Sequence, residues 1–227
     1  MKYGIMGAMP DEVDQLCARL SGVEVQQYAG VEYHQGRLGD KEVVVCCAGM
    51  GKANAAATTQ VLCGKFGAQA IIFSGIAGNM SEEIGIGDVV VGKEVCYHDA
   101  EVRMICQSAP FLKSYTGDPA LVQAALDACA ALSVKAIAGR IATGDTFVGD
   151  GATKAVIAEK VHPDCVEMEG AAVSQIAARN GVPCVVLRAM SDNADESGHE
   201  LLVVKKFSIA EYVTTATAIV ARMLESL

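Results

Sequence analysis

The sequence predicts an α/β fold, with helices packed on both faces of a mostly parallel or mixed sheet. Two observations carry this. Short apolar runs alternate along the chain with longer stretches of helical spacing, the pattern of strands buried on both faces and joined by crossover helices. The 227 residues are 52% hydrophobic, with 23 glycines and no tryptophan, enough apolar material for a substantial core in a single domain spanning 1–227. The sequence carries no proline-rich, low-complexity or strongly charged linker, and no internal repeat at the usual periods.

Taken in order, strands are expected at 3–6, 43–47, 70–74, 88–91, 137–142, 165–168 and 185–189, where apolar residues dominate short runs. Helices are expected at 52–66, 119–132, 151–160 and 169–180, and a long amphipathic pattern at 207–227 closes the chain. Sheets of this kind gather ligands at the carboxyl ends of their strands, so the loop after each strand is where chemistry is sought.

Charge and cysteine usage restrict the partners. A formal net charge of −9 gives no long-range attraction to nucleic acid or to an anionic membrane, and a small neutral or cationic ligand suits it better. The chain opens Met1-Lys2-Tyr3-Gly4 and reaches Asp11 and Glu12 before a secretory apolar core could form, which predicts a reducing, cytoplasmic setting. Cys46, Cys47, Cys63, Cys129, Cys165 and Cys184 lie among apolar or small residues, where a free thiol acts as a small hydrophobe. Without a Cys-x-x-Cys pair, no metal site is expected.

The strand-end loops carry glycines and acids. Gly7-Ala8-Met9-Pro10-Asp11-Glu12 places Glu12 near a helix start, where an acid also suits the macrodipole. Gly49-Met50-Gly51-Lys52 and Ser74-Gly75-Ile76-Ala77-Gly78 are glycine turns that match neither a dinucleotide fingerprint nor a phosphate-cradling Walker loop. In Cys165-Val166-Glu167-Met168-Glu169, strand alternation points Glu167 and Glu169 to one side, with at least one reaching the ligand end. Asp192 ends the run that begins at Val185, either as part of a site or as a helix cap or partner of Arg188. Carboxylates at the ends of apolar strands are costly to desolvate, so this recurrence points to a polar ligand between them.

In the order Gly7-Ala8-Met9 with Glu12, Ser74-Gly75-Ile76-Ala77-Gly78, Tyr97-His98-Asp99-Ala100, Gly144-Asp145-Thr146-Phe147, Val166-Glu167-Met168-Glu169 and Arg188-Ala189-Met190-Ser191-Asp192, the chain resembles the 5'-methylthioadenosine/S-adenosylhomocysteine nucleosidases of the nucleoside phosphorylase superfamily. The resemblance implies a three-layer α/β/α sandwich with a central mixed β-sheet, a homodimer, and hydrolysis of the N-glycosidic bond of adenine nucleosides without a cofactor.

It also implies residue roles. Cleavage between ribose C1' and purine N9 leaves positive charge on the sugar and negative charge on the base, so an acid at the base and a base for water both lower the barrier. By the match, Asp192 is the acid at adenine N7 and Glu12 the base that activates water. Glu169 accepts from the ribose hydroxyls and stabilises the cationic ring. The Met168 backbone holds the same sugar edge, and Arg188 contacts the water or a neighbouring carboxylate. Phe147 stacks on adenine unless it is a core aromatic, the Val148 backbone reads the base edge, and Gly78 packs close to it. His98 is expected on a surface strand or at a subunit contact, and His199 in a mobile stretch, neither with a chemical role.

A purine nucleoside phosphorylase would share the fold but must bind a phosphate dianion. Phe73 stands where such enzymes place an arginine, and Glu12 would repel phosphate. A non-catalytic nucleoside-binding protein would have little need of Glu12 and Asp192 together. Two departures from the family pattern concern the substrate. Ile76 occupies a position usually held by serine, and 101–111 lacks the aromatic and glycine residues that form part of the 5' pocket of the neighbouring subunit. Another 5'-substituted adenine nucleoside, such as an aminodeoxyfutalosine, is therefore the alternative substrate, and Phe207 receives no role over the base.

Overall fold

The computed structural model describes residues 1–199 and 210–227, the His199 side chain excepted. In chain order the elements are β1 (Lys2–Gly7), α1 (Pro10–Cys17), β2 (Ser21–Tyr28), β3 (Val31–Leu38), β4 (Lys41–Cys47), α2 (Lys52–Gly64), β5 (Ala70–Asn79), β6 (Val89–Tyr97), α3 (Val102–Ile105), β7 (Tyr115–Thr116), α4 (Pro119–Ala131), β8 (Ala136–Thr143), α5 (Gly151–Val161), β9 (Cys165–Glu167), α6 (Gly170–Arg179), β10 (Cys184–Asp192), α7 (Glu196–His199) and α8 (Ala210–Ser226). Each expected strand is found, most of them longer than expected. The closing helix is present over Ala210–Ser226, and Phe207 lies outside the described residues.

The sheet is mixed. β4, β1, β5 and β10 lie side by side and parallel, and the β3–β2 hairpin extends the sheet beyond β4 in antiparallel pairing. On the other side the pairings close on themselves: β10 pairs antiparallel with β6, β6 parallel with β8, β8 parallel with β9, and β9 antiparallel with β5. This ring brings the ends of β5, β8, β9 and β10 together. Gly78 of β5 faces both Val166 of β9 and Asp192 of β10, and Thr143 of β8 faces Glu167.

Side-chain alternation sends neighbouring residues to opposite layers. Met6, Val44, Ile71, Phe73 and Val186 pack on one face with Leu62 of α2 and Ala171, Val173 and Ala177 of α6. Ile5, Val43, Val45, Ile72, Val185 and Leu187 pack on the other with Val13 and Leu16 of α1, Leu121 and Ala125 of α4, and Ile219 and Met223 of α8. Each such Leu, Ile or Phe contributes roughly 1.5–3 kcal/mol of burial. Among the described residues no helix is long and apolar enough to cross a membrane. All nine cysteines are free thiols.

His98 corrects its expectation. It follows β6 in a buried position, against Gly144, where an added Cβ would collide with the imidazole. Burial lowers its pKa below the ordinary histidine value, an effect that outweighs the neighbouring Asp99.

Candidate active site

Glu12 is positioned by the turn between β1 and α1. Pro10 opens the helix, and Glu12 at its third position turns back over the preceding loop. Its Oε2 accepts from the amides of Ala8 at 2.6 Å and Met9 at 3.0 Å, and its Oε1 from the amide of Ile76 at 3.2 Å. The Met9 carbonyl in turn accepts from the Glu12 amide at 3.1 Å. Gly75 makes room for the arrangement, because a Cβ there would run into both the Arg188 guanidinium and Glu12 Oε1. Burial raises the Glu12 pKa, and the Arg188 charge and three amide hydrogen bonds oppose that rise.

Glu167 and Glu169 do not continue one extended strand. β9 ends at Glu167 and the chain bends into α6, with Glu169 as the cap residue at φ −139° and ψ −35°. Glu167 Oε2 accepts from the amides of Glu169 at 3.1 Å and Gly170 at 2.7 Å, so its carboxylate caps α6. Thr143 Oγ1 donates to its other oxygen and accepts from the Ala171 amide at 2.8 Å. Glu169 reaches away to the first turn of α2, where the Gly51 amide donates to Oε1 at 2.8 Å.

Arg188 lies in the middle of the fully buried β10 and is 1% exposed. Its Nε and Nη2 donate to Glu167 Oε2, and Nη2 stands 3.5 Å from Glu169 Oε2. Its guanidinium also covers the Phe73 ring, 4.2 Å from the centroid. Desolvation works against the Arg188 charge, but the fields of Glu167, Glu169 and Glu12 overcome it and raise the pKa above the ordinary arginine value. Arg188 does not line the cavity; it stands behind the acids that do.

Asp192 follows an irregularity between Met190 and Asp192 that re-aims the end of β10. It does not pair with Arg188. Oδ1 accepts from the Ala194 amide at 2.8 Å and Oδ2 from Ser191 Oγ at 2.8 Å, while the Ala77 carbonyl lies 3.3 Å from the same hydroxyl. The Ser191 hydroxyl therefore has a second acceptor: it donates either to Asp192 Oδ2 or to the Ala77 carbonyl, and in the latter case its oxygen is free to accept a hydrogen bond. Close approach of Gly78 and Gly198 encloses the carboxylate: a Cβ on either would lie 3.0 Å or 2.7 Å from Oδ1.

These groups surround a cavity of about 380 Å³, lined by Glu12, Gly78, Phe147, Met168, Glu169 and Asp192 together with Ala8, Met9, Met50, Ile76, Ala77, Val166, Glu167 and Ser191. A narrow lobe of about 40 Å³ continues past Phe147 to Val148. Phe147 is 41% exposed, which removes it from the core, whereas Val148 is buried. The sequence-predicted residues thus converge on one cavity, except Arg188. Met50 and Ser191 also line the cavity without a role in the sequence reading; the only local signals there are Gly49 and Gly51 around Met50 and the position of Ser191 next to Asp192.

The volume suits a small molecule. Four acids, Glu12, Glu167, Glu169 and Asp192, line it among largely apolar residues. Among the described residues no lining side chain is cationic, and no group of three or more His, Cys, Asp or Glu side chains is arranged to hold a metal ion. An anionic co-substrate would enter facing four carboxylates, with the nearby guanidinium already engaged.

Comparison with known proteins agrees with this geometry. The sequence pattern described as the phosphorylase superfamily matches residues 2–225. The 5'-methylthioadenosine/S-adenosylhomocysteine nucleosidase of Shewanella sediminis is 41% identical over 201 residues, covering 86% of this chain and 87% of that protein. The crystal structure of the nucleosidase of the same name from Colwellia psychrerythraea, in complex with adenine, superposes with a TM-score of 0.92 at 32% identity, covering 100% of this chain and 96% of that one. The futalosine hydrolase of Helicobacter pylori superposes with a TM-score of 0.89 at 29% identity, covering 100% and 98%.

Proposed function

The chain belongs to the 5'-methylthioadenosine/S-adenosylhomocysteine nucleosidase family of the phosphorylase superfamily, and from that premise we propose that it hydrolyses these two nucleosides to adenine and the free ribose derivative, with Asp192 as acid and Glu12 as base. The observation that carries the division of labour is the placement of Glu12, Glu169 and Asp192 around one cavity whose described walls hold no cation.

Adenine lies against Phe147, its edge toward Asp192 and the narrow lobe at Val148. Asp192 in its protonated form donates to N7 as the C1'–N9 bond lengthens, so the base leaves neutral. Ser191 Oγ, 2.8 Å from Oδ2, keeps the carboxyl oriented in either protonation state. Glu169 accepts from the ribose hydroxyls and places negative charge near the developing oxocarbenium. Glu12, fixed by three amides and raised in pKa by burial, takes a proton from the water that attacks C1'. Arg188 holds the acids apart in charge and position from behind.

A second reading keeps the chemistry and changes the 5' group to one such as that of an aminodeoxyfutalosine. One observation supports it: the likeness to the H. pylori futalosine hydrolase. The reading also includes a homodimer, to be checked by light scattering. Adenine release from methylthioadenosine, adenosylhomocysteine, deoxyadenosine and aminodeoxyfutalosine, each with and without phosphate, tests the whole proposal. Release that requires phosphate and yields a sugar 1-phosphate would overturn hydrolysis.

A further inference from the structure

We propose that Lys52 is a positioning residue that clasps the loop carrying Phe147 to the carboxylate of Glu169, so that the base-stacking and sugar-binding halves of the cavity hold one spacing. The proposal rests on the reading that Phe147 stacks on the base and Glu169 binds the ribose.

Two consecutive amides open α2, and each serves a different half of the cavity. The Gly51 amide donates to Glu169 Oε1 at 2.8 Å, and the Lys52 amide donates to Asp145 Oδ1 at 2.9 Å. Asp145 lies two residues before Phe147. Gly51 adopts φ +92°, a conformation that favours glycine, and a Cβ there would lie 3.3 Å from Asp145 Oδ1.

The Lys52 ammonium closes the arrangement. Nζ donates to both oxygens of Asp99, at 2.8 Å and 2.7 Å, and stands 3.5 Å from Asp145 Oδ2. Asp99 Oδ2 in turn accepts from the Asp145 amide at 2.9 Å. Asp99 follows β6, Asp145 follows β8 and Glu169 caps α6, so three carboxylates from three strand-end loops converge on the first turn of one helix. The helix dipole and the Lys52 ammonium offset the repulsion between Asp99 and Asp145, while Arg188 stands 3.5 Å from Glu169 on its other side. Without the ammonium, Asp99 and Asp145 repel, and the loop through Phe147 loses the cation that ties these two carboxylates together, while the Gly51 amide still holds Glu169.

The clasp is also partly open to solvent, with about a quarter of the Lys52 and Asp99 side chains exposed. Ion pairs in such settings add little to global stability. The consequence of breaking this one is therefore expected in substrate binding more than in folding, which separates positioning from simple structural support.

The test measures adenine release and calorimetric adenine binding for Lys52→Met, Lys52→Arg and Asp145→Ala, each in the wild-type and Phe147→Ala backgrounds. Lys52→Met and Asp145→Ala are expected to raise KM and the adenine dissociation constant about tenfold with kcat changed less than about threefold, and Lys52→Arg to restore most of the loss. In the Phe147→Ala background the same substitutions add nothing, because the group they position is gone. Unchanged KM in a folded Lys52→Met, or an equal increase in both backgrounds, overturns the clasp. Should Lys52→Met fail to fold, Asp145→Ala decides by the same criteria. Failure of the functional reading would appear earlier and separately, as parent enzyme that releases no adenine without phosphate.

Discussion

Arg188 and Glu167 form a buried pair in which Nε and Nη2 of the guanidinium both donate to one carboxylate oxygen, while Glu169, 3.5 Å from Nη2, receives only the margin of the same charge. One cation thus serves two acids unequally. Glu167 is occupied with capping α6, and Glu169 is left with its carboxyl pushed up to about 7, by burial first and by the charge of Glu167 second.

Replacing Glu167 with glutamine removes the second of those causes and frees the guanidinium for Glu169. The Glu169 pKa is expected to fall, moving the acidic limb of the kcat/KM profile to lower pH by about one unit. A pH series of adenine release reads the shift directly, and an unmoved limb would show that Glu169 ionisation does not govern it. Glu167→Ala is harsher, because it also strips the α6 cap and leaves buried charge uncompensated; a loss of roughly 3–5 kcal/mol in urea unfolding is expected.

Stability should carry the same signature with a definite sign. The folded pKa of Glu169, about 7, lies above its ordinary value of 4.5. Between these values the folded chain keeps a proton that the unfolded chain has released, so this group's contribution falls as pH rises through the window and is constant outside it. Thermal unfolding of ligand-free enzyme and of Glu169→Gln across pH 4.5–7.5 tests this. The variant is expected to gain in Tm relative to the parent as pH rises, and a constant difference between the two would remove the Glu169 carboxyl as the source.

Much of this was legible in the sequence, for a physical reason. β5 and β10 are buried nearly throughout, so their apolar runs stand out, and an acid at the end of such a run is visible because it is costly there. The β2–β3 hairpin was not legible: every residue of β2 is exposed, and its turn uses Ala29 at φ 50° and Gly30 at φ 80° in place of a stronger turn pair. The part Glu167 plays was also hidden. Strand alternation grouped it with Glu169, but the strand stops at Glu167, and whether a carboxylate caps the next helix depends on that stop. The contacts of Lys52 with Asp99 and Asp145 span 47 and 93 residues, and no local pattern announces them.

The proposed acid, Asp192, and the proposed base, Glu12, should separate in their mutant kinetics. Asp192→Asn keeps an oxygen to accept from the Ala194 amide, and its NH2 can donate to Ser191 Oγ, but it has no acidic proton to give, so kcat is expected to fall by about 10²–10⁴-fold with adenine binding largely retained. Glu12→Gln is expected to lose a comparable factor while leaving Asp192 to protonate the base. A substrate whose base leaves without protonation distinguishes them, since it should rescue Asp192→Asn and not Glu12→Gln. Wild-type activity in either variant would remove that residue from the mechanism.

The most local of these expectations concerns Gly75, which pairs with Arg188 across β5 and β10. A methyl group there would occupy the space of the Arg188 guanidinium and lie 2.5 Å from Glu12 Oε1, so neither can stay where it is. Overpacking of this kind costs about 1–3 kcal/mol. The larger effect is on chemistry, because displacing a positioned base by about 1 Å can cost about 10²-fold in rate. Gly75→Ala is therefore expected to lose far more activity than stability, with Gly85→Ala as the control, since a Cβ at Gly85 meets nothing within 4 Å. Adenine release and urea unfolding on the two variants decide it: an active Gly75→Ala would mean that Glu12 and Arg188 can move apart without loss, and that their close packing behind the cavity is not what holds the water-activating carboxylate in place.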